Sequence, residues 1–411
     1  MKSWKSSFVA ILIAETLAMA GFSLSVPIIP FFLQEDIGIS DPQRLKLWVG
    51  ILQAIPAVTL AIFAPIWGHL ADIYSRRLML LRAMFGGAII ISLMCLVNSP
   101  WQLLILRSIQ GCITGTVAAA TVLTAGIAPA AQVGFALGIL QTGIAVGNSI
   151  GPLFGGLISD FLGYRVAFLS TGVILALGGL IVLKGVEDDS RHRLNAKKDK
   201  NEKGKKVSFI PDVKPIINSP TLRTLLFVSF VIQAAIGIAV PMLPLFLKEL
   251  ALKAASEGPR YIGSSTGLVL GAGAASAALA AVLVGKYSAR IGYWKTLIYC
   301  LTIGAILTIP QAFVSNAGQL ALFRALSAFF IGGISPVLNA IIAINTDKEN
   351  QGSIYGFNSS IASAGAAFGP MIGAGVAMIN YRAVFLTAAG LLGFTAYRTF
   401  KRRQEKFNTM V

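Results

Sequence analysis

The sequence predicts an all-α membrane protein, with twelve transmembrane helices arranged as two pseudo-symmetric six-helix bundles. Three observations carry that prediction. First, apolar residues make up 55% of the 411 and charged residues only 12%, against about 25% charged in an ordinary soluble domain. So few charges cannot cover a water-facing surface of this size, and the mean hydropathy of +0.75 agrees; a water-soluble enzyme is disfavoured from the start. Second, the apolar residues fall into twelve separate runs, each near the roughly 20 residues that a helix needs to cross the hydrocarbon. Third, the second half of the chain repeats the first.

In chain order the runs of the first half are 7–33, 47–68, 78–97, 101–125, 133–159 and 163–184. Those of the second half are 221–247, 261–285, 295–314, 317–345, 354–379 and 383–400. The first run is too long for a signal-peptide core and has no convincing cleavage site, so it is read as the first span. All are continuously apolar rather than alternating, which excludes strands as the spanning element. Between the halves the composition changes abruptly. Glu187, Asp188 and Asp189 are followed by Arg191, Arg193, Lys197, Lys198, Lys200, Lys203, Lys205 and Lys206. This is a solvated basic linker, dividing the chain into a bundle at 1–184, a linker at 185–220 and a bundle at 221–411.

The net charge of +17 would point to nucleic acid in a soluble protein. Here the basic residues sit in short loops, tails and the linker, so no nucleic-acid partner is expected and the lipid bilayer is the partner instead. Most of the 34 Lys and Arg fall on one set of alternate loops and on both tails. The opposite loops carry few: Arg44, Lys46, Arg165, Lys248, Lys253, Arg260 and Arg382. Cytoplasmic loops carry the excess of Lys and Arg, so both termini are expected in the cytoplasm. Cys95, Cys112 and Cys300 lie in apolar runs with no CxxC spacing, and His69 and His192 belong to no cluster. Neither a metal site nor a disulfide framework is expected. The chain has no GxxxxGK[ST] loop, so no nucleotide cofactor is expected and nothing suggests direct coupling to ATP.

The repeat is in register at four places. Val26-Pro27-x-x-Pro30 recurs as Val240-Pro241-x-x-Pro244, Arg107 as Arg324, Gly151-Pro152 as Gly369-Pro370, and Tyr164-Arg165-x-x-Phe-Leu as Tyr381-Arg382-x-x-Phe-Leu. The offset is nearly constant and spans six helices, so the two halves run through the membrane in the same direction. That is the two-half design of transporters whose substrate site lies near the midplane.

Three stretches then resemble known signatures. Gly68-His-Leu-Ala-Asp72-Ile-Tyr-Ser75-Arg76-Arg77 is similar to the loop 2–3 signature GxLaDrxGRR of the major facilitator superfamily, with Ser75 in place of the second glycine and Ile73 in place of a basic residue. Leu103-x3-Arg107-x2-Gln110-Gly111 resembles its fourth-helix signature. Gly147-x3-Gly151-Pro152-x2-Gly155-Gly156 resembles the fifth-helix signature of its antiporters. The whole chain looks like that superfamily's twelve-helix bacterial drug:proton antiporters. The stretch Leu78-Met-Leu-Leu-Arg82 resembles their MdtG type in particular. The resemblance implies a major facilitator fold and proton-coupled multidrug efflux by alternating access. It also implies a place in the cell inner membrane, a cytoplasmic gate at Gly68, Asp72, Arg76 and Arg77, and a role for Arg107 in proton coupling.

The residues themselves add to this. Of the 17 acidic residues, Glu15 alone lies inside an apolar run, roughly 12 Å along the first helix at 1.5 Å per residue. An ionisable residue there costs about 2.5–3.5 kcal/mol or more and marks a proton or substrate pathway. Its neighbours on the same helix face are Met19, Phe22 and Val26, which suit a lipophilic cation. Arg107 shares a face with Gln110, Gly111 and Thr114; an arginine keeps its charge, so it can act only on a titrating neighbour. Arg324 is read as its structural counterpart. Gly147, Gly151 and Gly155 give close helix approach, and Pro152 a bend. Gln53, Gln141, Asn148, Gln233, Asn339 and Asn358 are candidates for lining a cavity, Gln141, Gln233, Asn339 and Asn358 with Met19 and Phe22 above all. No nucleophile–base–acid set is visible, so no catalytic residue is assigned. The expected partners are a small-molecule substrate and protons, and the expected state is a monomer. Two other tasks stay open on the sequence: export of one endogenous metabolite such as a siderophore, sugar or lipid, and a membrane sensor or scaffold that does not transport.

Overall fold

The computed structural model describes residues 4–73, 75–129, 132–187, 219–254, 261–346 and 351–408, for some of them the backbone alone. The linker expected at 185–220 lies almost wholly outside the described residues. Among the described residues every regular element is helical, and twelve helices are long and apolar enough to cross a membrane. We number them α1 (Trp4–Leu24), α2 (Pro42–Ile73), α3 (Arg76–Leu93), α4a (Pro100–Ile113) with α4b (Thr116–Ile127), α5 (Val133–Leu162), α6 (Tyr164–Gly185), α7 (Pro220–Ala239), α8 (Ile262–Ile291), α9 (Tyr293–Thr308), α10 (Ala317–Ile344), α11 (Gln351–Ile379) and α12 (Tyr381–Asn408).

The prolines explain two matching irregularities. After α1 the chain passes through a turn at Ser25–Ile28, then one helical turn at Ile29–Phe31 and a wider one at Phe32–Asp36. After α7, Val240–Met242 forms a tight 3-10 turn before the helix resumes at Leu243–Ala254. Pro27 and Pro30, and Pro241 and Pro244, each lack an amide hydrogen, so the helical ladder cannot run through these stretches. Helix ends reach past the apolar runs where capping supports them. α2 starts at Pro42 rather than 47, because Asp41 accepts the amide hydrogen of Gln43 on Oδ1 at 2.9 Å and that of Leu45 on its carbonyl at 2.9 Å.

The fourth span corrects the sequence expectation of one helix over 101–125. It is broken at Thr114–Gly115, where Gly115 takes φ +126°. An L side chain strongly resists that backbone conformation and glycine does not. Gly115→Ala is therefore expected to destabilise the fold by about 1–3 kcal/mol, although alanine is the better helix former; a lowered Tm in detergent checks this.

Two compact units are present. One comprises Met1–Gly38 with Val58–Ser208, the other Ile39–Ala57 with Phe209–Val411, so α2 contributes to both. In the first, α1 packs on α5 and α6, and α3 packs on α6. In the second, α7 packs on α11 and α12, and α9 packs on α12. These three helix pairings of the first half thus recur at the matching positions of the second.

Glycine decides the closest of these contacts. A methyl group on Gly147 would overlap the Thr16 carbonyl oxygen and lie 2.8 Å from Met19 Cβ; on Gly151 or Gly155 it would overlap the carbonyl oxygens of Ala20 or Leu24. α5 therefore lies directly on the backbone of α1. Gly365, Gly369 and Gly373 of α11 meet the carbonyls of Phe230, Ala234 and Ile238 of α7 in the same way. Arg165 ties the first unit together at one end. Its guanidinium donates to Asp36 Oδ2 at 3.1 Å, to the carbonyls of Cys95 and Val97 at 2.6 and 3.2 Å, and to Asn98 Oδ1 at 2.9 Å.

Candidate functional site

Glu15 lies in the interior of the first unit with no exposed surface. Its Oε1 accepts a hydrogen bond from Thr116 Oγ1 at 3.0 Å, and its Oε2 is buried with no hydrogen-bond partner among the described residues. Thr116 is the first residue after the α4 break, so the Gly115 turn presents that hydroxyl to α1. Leaving a buried carboxyl oxygen unsatisfied carries a desolvation cost.

Arg107, 5% exposed, donates to Gln110 Oε1 at 3.2 Å. The carbonyl of Gln110 accepts from the Thr114 hydroxyl at 2.8 Å, so the face read from the sequence is formed. Nε and Nη2 of Arg107 are buried without a hydrogen-bond partner among the described residues. Among the described residues no ion pair joins Arg107 to Glu15. In this conformation the buried acid and the buried arginine are held separately, each by a polar residue of the fourth span.

Gly68 and Asp72 lie on the last two turns of α2, and their side chains are outside the described part. Arg76 and Arg77 open α3 after the N-cap Ser75, whose hydroxyl accepts from the Leu78 amide at 3.4 Å. Arg76 Nη1 donates to the Val122 carbonyl of α4b at 3.4 Å, and Arg77 Nη2 donates to the Leu183 carbonyl in the last turn of α6. Both arginines thus anchor α3 to neighbouring helices within the first unit.

Of the cavity candidates on α1 and α5 in the first unit, Met19 is half-buried where α1 meets Gly147. Phe22 brings its ring tip within 3.4 Å of where a side chain on Gly87 would begin, beside the Thr114 methyl. Gln141 and Asn148 are exposed on α5; Gln53, on the part of α2 that belongs to the second unit, has a buried Nε2 with no hydrogen-bond partner among the described residues. Gly147, Gly151, Pro152, Gly155 and Gly156, expected from the sequence to act as a hinge, are all buried on α5. In the second unit, the Ser229 hydroxyl of α7 donates to Asn358 Oδ1 of α11, and Gln233 sits one turn beyond Ser229. Asn339 is exposed on α10, its carbonyl accepting from Tyr355 at 2.9 Å. Arg324 has its Nε buried, and Gln311 Nε2 donates to Ser327 Oγ nearby on α10 at 2.8 Å. An apolar groove of about 590 Å³ between α9 and α12, lined by residues such as Ile298, Ile306 and Tyr397, contains none of these candidates.

Three features were not read from the sequence. Thr116 and Gly115 carried no charge to flag them, although a glycine between two threonines inside an apolar run was the available signal. Trp67 donates its indole N–H to the Cys112 carbonyl at 2.6 Å, and its ring carries the guanidinium carbon of Arg82 3.5 Å from the centroid. In the second unit, Lys46 Nζ donates to the Ala377 carbonyl at 2.9 Å and lies 4.3 Å over the Tyr381 ring. One turn on, a methyl on Gly50 would stand 2.6 Å from Ala374 Cβ and 2.9 Å from the Pro370 carbonyl. Gly50→Leu is expected to push the start of α2 off α11. Faster maleimide labelling of a cysteine placed at Ala374 is the measurement that checks it.

A profile of the Major Facilitator Superfamily matches residues 11–317 and 260–408. The chain is 33% identical over 407 residues to the multidrug resistance protein MdtG of Salmonella paratyphi A (strain ATCC 9150 / SARB42), covering 98% of this chain and 97% of that one. It is 32% identical over 406 residues to MdtG of Salmonella arizonae, with the same coverage. Among solved structures, the nucleoside transporter NupG superposes with a TM-score of 0.75 at 12% identity, covering 96% of this chain and 98% of that chain. A bacterial homologue of the human lysosomal transporter Spinster, inward-facing and unoccupied, gives 0.74 at 16% identity and covers 98% of both chains.

Proposed function

Because the chain belongs to the major facilitator superfamily and is a multi-pass membrane transporter of small molecules, we propose that it exports lipophilic or amphiphilic drugs across the cell inner membrane in exchange for protons. Glu15 carries the proton. The observation that carries this reading is its burial on α1 with one oxygen on Thr116 and the other unsatisfied. Such a group is stable enough to persist in the bundle and is poised to be protonated or released. The relatives' name, multidrug resistance protein, supports the substrate class, and an acid on a helix face that also carries Met19 and Phe22 fits cations of low polarity. Arg107 tunes Glu15 through the fourth span rather than by direct pairing.

Gly68, Asp72, Arg76 and Arg77 form the cytoplasmic gate, and the Lys46 and Gly50 contacts are their counterpart at the other end of α2. The stripe from Gly147 to Gly155, with Gly156 and Pro152, lets α5 pivot on α1 while excluding lipid from the joint. Both termini lie in the cytoplasm, consistent with the distribution of Lys and Arg, and the working unit is a monomer. Met19, Phe22 and Gln141 in the first unit, and Gln233, Asn339 and Asn358 in the second, are the side chains assigned to substrate binding.

Accumulation of a panel of fluorescent lipophilic cations, in cells expressing the protein with and without a protonophore, tests this. Low accumulation that rises on adding the protonophore, across several unrelated cations, is the expected result. Accumulation equal to that of cells lacking the protein, at good membrane expression, would overturn the drug-efflux reading in favour of a dedicated metabolite exporter.

A further inference from the structure

The break in the fourth span is held from two sides, and we propose that it links the proton state of Glu15 to the Trp67–Arg82 pair on α2 and α3. The inference rests on the reading of Glu15 as the proton carrier and adds the residues through which its charge is felt at the gate helices.

In an unbroken helix the carbonyl of Cys112 would accept the amide hydrogen of residue 116. Gly115, at φ +126°, makes Thr116 the first residue of a new helix, whose amide is an orphan donor and leaves that carbonyl without its ladder partner. The Trp67 indole takes the freed carbonyl at 2.6 Å. Its ring then carries Arg82 at 3.5 Å. Nε and Nη1 of Arg82 are buried with no hydrogen-bond partner among the described residues, so the ring face is what meets that charge. On the other side of the same break, the Thr116 hydroxyl donates to Glu15.

These contacts respond to one proton. With Glu15 ionised, the Thr116 bond is charge-assisted and about twice as strong as a neutral one, and the negative charge faces the start of α4b, the favourable end of its dipole. Protonation of Glu15 removes both effects and forms an O–H that needs an acceptor of its own. The pull on Thr116 then falls, the amide of residue 116 can return to the Cys112 carbonyl, and the indole is released with Arg82. No covalent bond other than the carboxyl O–H forms or breaks. The link is a short contiguous chain with two arrangements, the kind of element through which coupling can travel.

Other charges do not compete for the assignment. α1 packs on α4b, α5 and α6. Charged or titratable side chains described on these elements and on the adjoining α3 and α4a are Arg107 and Cys112 of α4a, Asp160 near the end of α5, and Tyr164, Arg165 and Lys184 at the ends of α6. Arg76, Arg77 and Arg82 lie on α3, and Lys5 at the start of α1. Glu15 is the carboxyl inside the bundle.

The test uses the full-length protein in detergent, with Trp4, Trp48, Trp101 and Trp294 replaced by Phe so that Trp67 is the sole tryptophan. Its emission is followed against pH beside the infrared carboxyl band that Glu15→Gln removes. The Trp67 emission is expected to shift over the pH range in which that band appears. The shift should be lost in Glu15→Gln and in Thr116→Val and kept in Thr116→Ser, while the band survives in Thr116→Val. A band that titrates with an unchanging Trp67 emission overturns the link and leaves the Glu15 reading standing. A Trp67 shift that persists in Thr116→Val also overturns the link. Absence of any carboxyl band assignable to Glu15 overturns the proton-carrier reading itself.

Discussion

Glu15→Gln is expected to abolish proton-driven efflux while leaving a folded protein that still exchanges substrate down its gradient. Glutamine has nearly the volume of glutamate, and its amide oxygen can accept the Thr116 hydroxyl in place of Oε1. What it removes is the ability to bind and release a proton. Stability should not fall, since an ionisable residue inside a bilayer span is itself costly, by about 2.5–3.5 kcal/mol at the helix centre. An unchanged or raised Tm is therefore expected alongside lost coupling. In proteoliposomes, wild type should concentrate a lipophilic cation such as tetraphenylphosphonium under an imposed pH gradient, whereas Glu15→Gln should only equilibrate it. Glu15→Ala confuses the two effects, because it also strands the Thr116 hydroxyl.

Gly147→Val should be strongly damaging to the first unit. The first carbon of any side chain there meets the Thr16 carbonyl oxygen, Met19 Cβ at 2.8 Å and the Ala20 amide nitrogen at 2.9 Å. Two of the three are backbone atoms, so no rotamer change relieves the contact and α5 must move off α1. Overpacking that side chains can absorb costs about 1–3 kcal/mol. A clash with backbone lies at or above the top of that range, a large fraction of a total stability of about 5–15 kcal/mol. Gly138→Ala, on the same helix with nothing within 4 Å of its added carbon, should instead stabilise by about 0.5–1 kcal/mol through helix propensity. The yield of monodisperse protein after solubilisation, and its Tm, should move in opposite directions for the two variants. Equal effects would show that the glycine stripe is not a packing requirement.

The particular residues show what was legible in the sequence. The twelve spans were readable because crossing hydrocarbon imposes a length and a composition, and the superfamily because its signatures occur in order. Glu15 stood out because an acid in an apolar run is costly wherever the neighbours lie. Its partner did not stand out: Thr116 is 101 positions away, and a threonine in a helix is unremarkable until the backbone before it turns. The break itself depends on a φ angle that Gly115 permits without dictating, so a continuous helix was the natural expectation. The bond from Arg107 to Gln110 lies on the helix face that the spacing of 107, 110, 111 and 114 marks, since residues three and four apart on a helix are neighbours. Lys46 was counted only as a loop charge, and its place over Tyr381 follows from the close approach that Gly50 allows one turn further on.

The most direct test of the account is proton release from purified, weakly buffered protein when tetraphenylphosphonium is added. If Glu15 carries the proton exchanged for substrate, wild type releases protons in proportion to the cation bound, and Glu15→Gln binds the cation without releasing any. Equal release from both proteins would contradict the account and place the exchanged proton on another group.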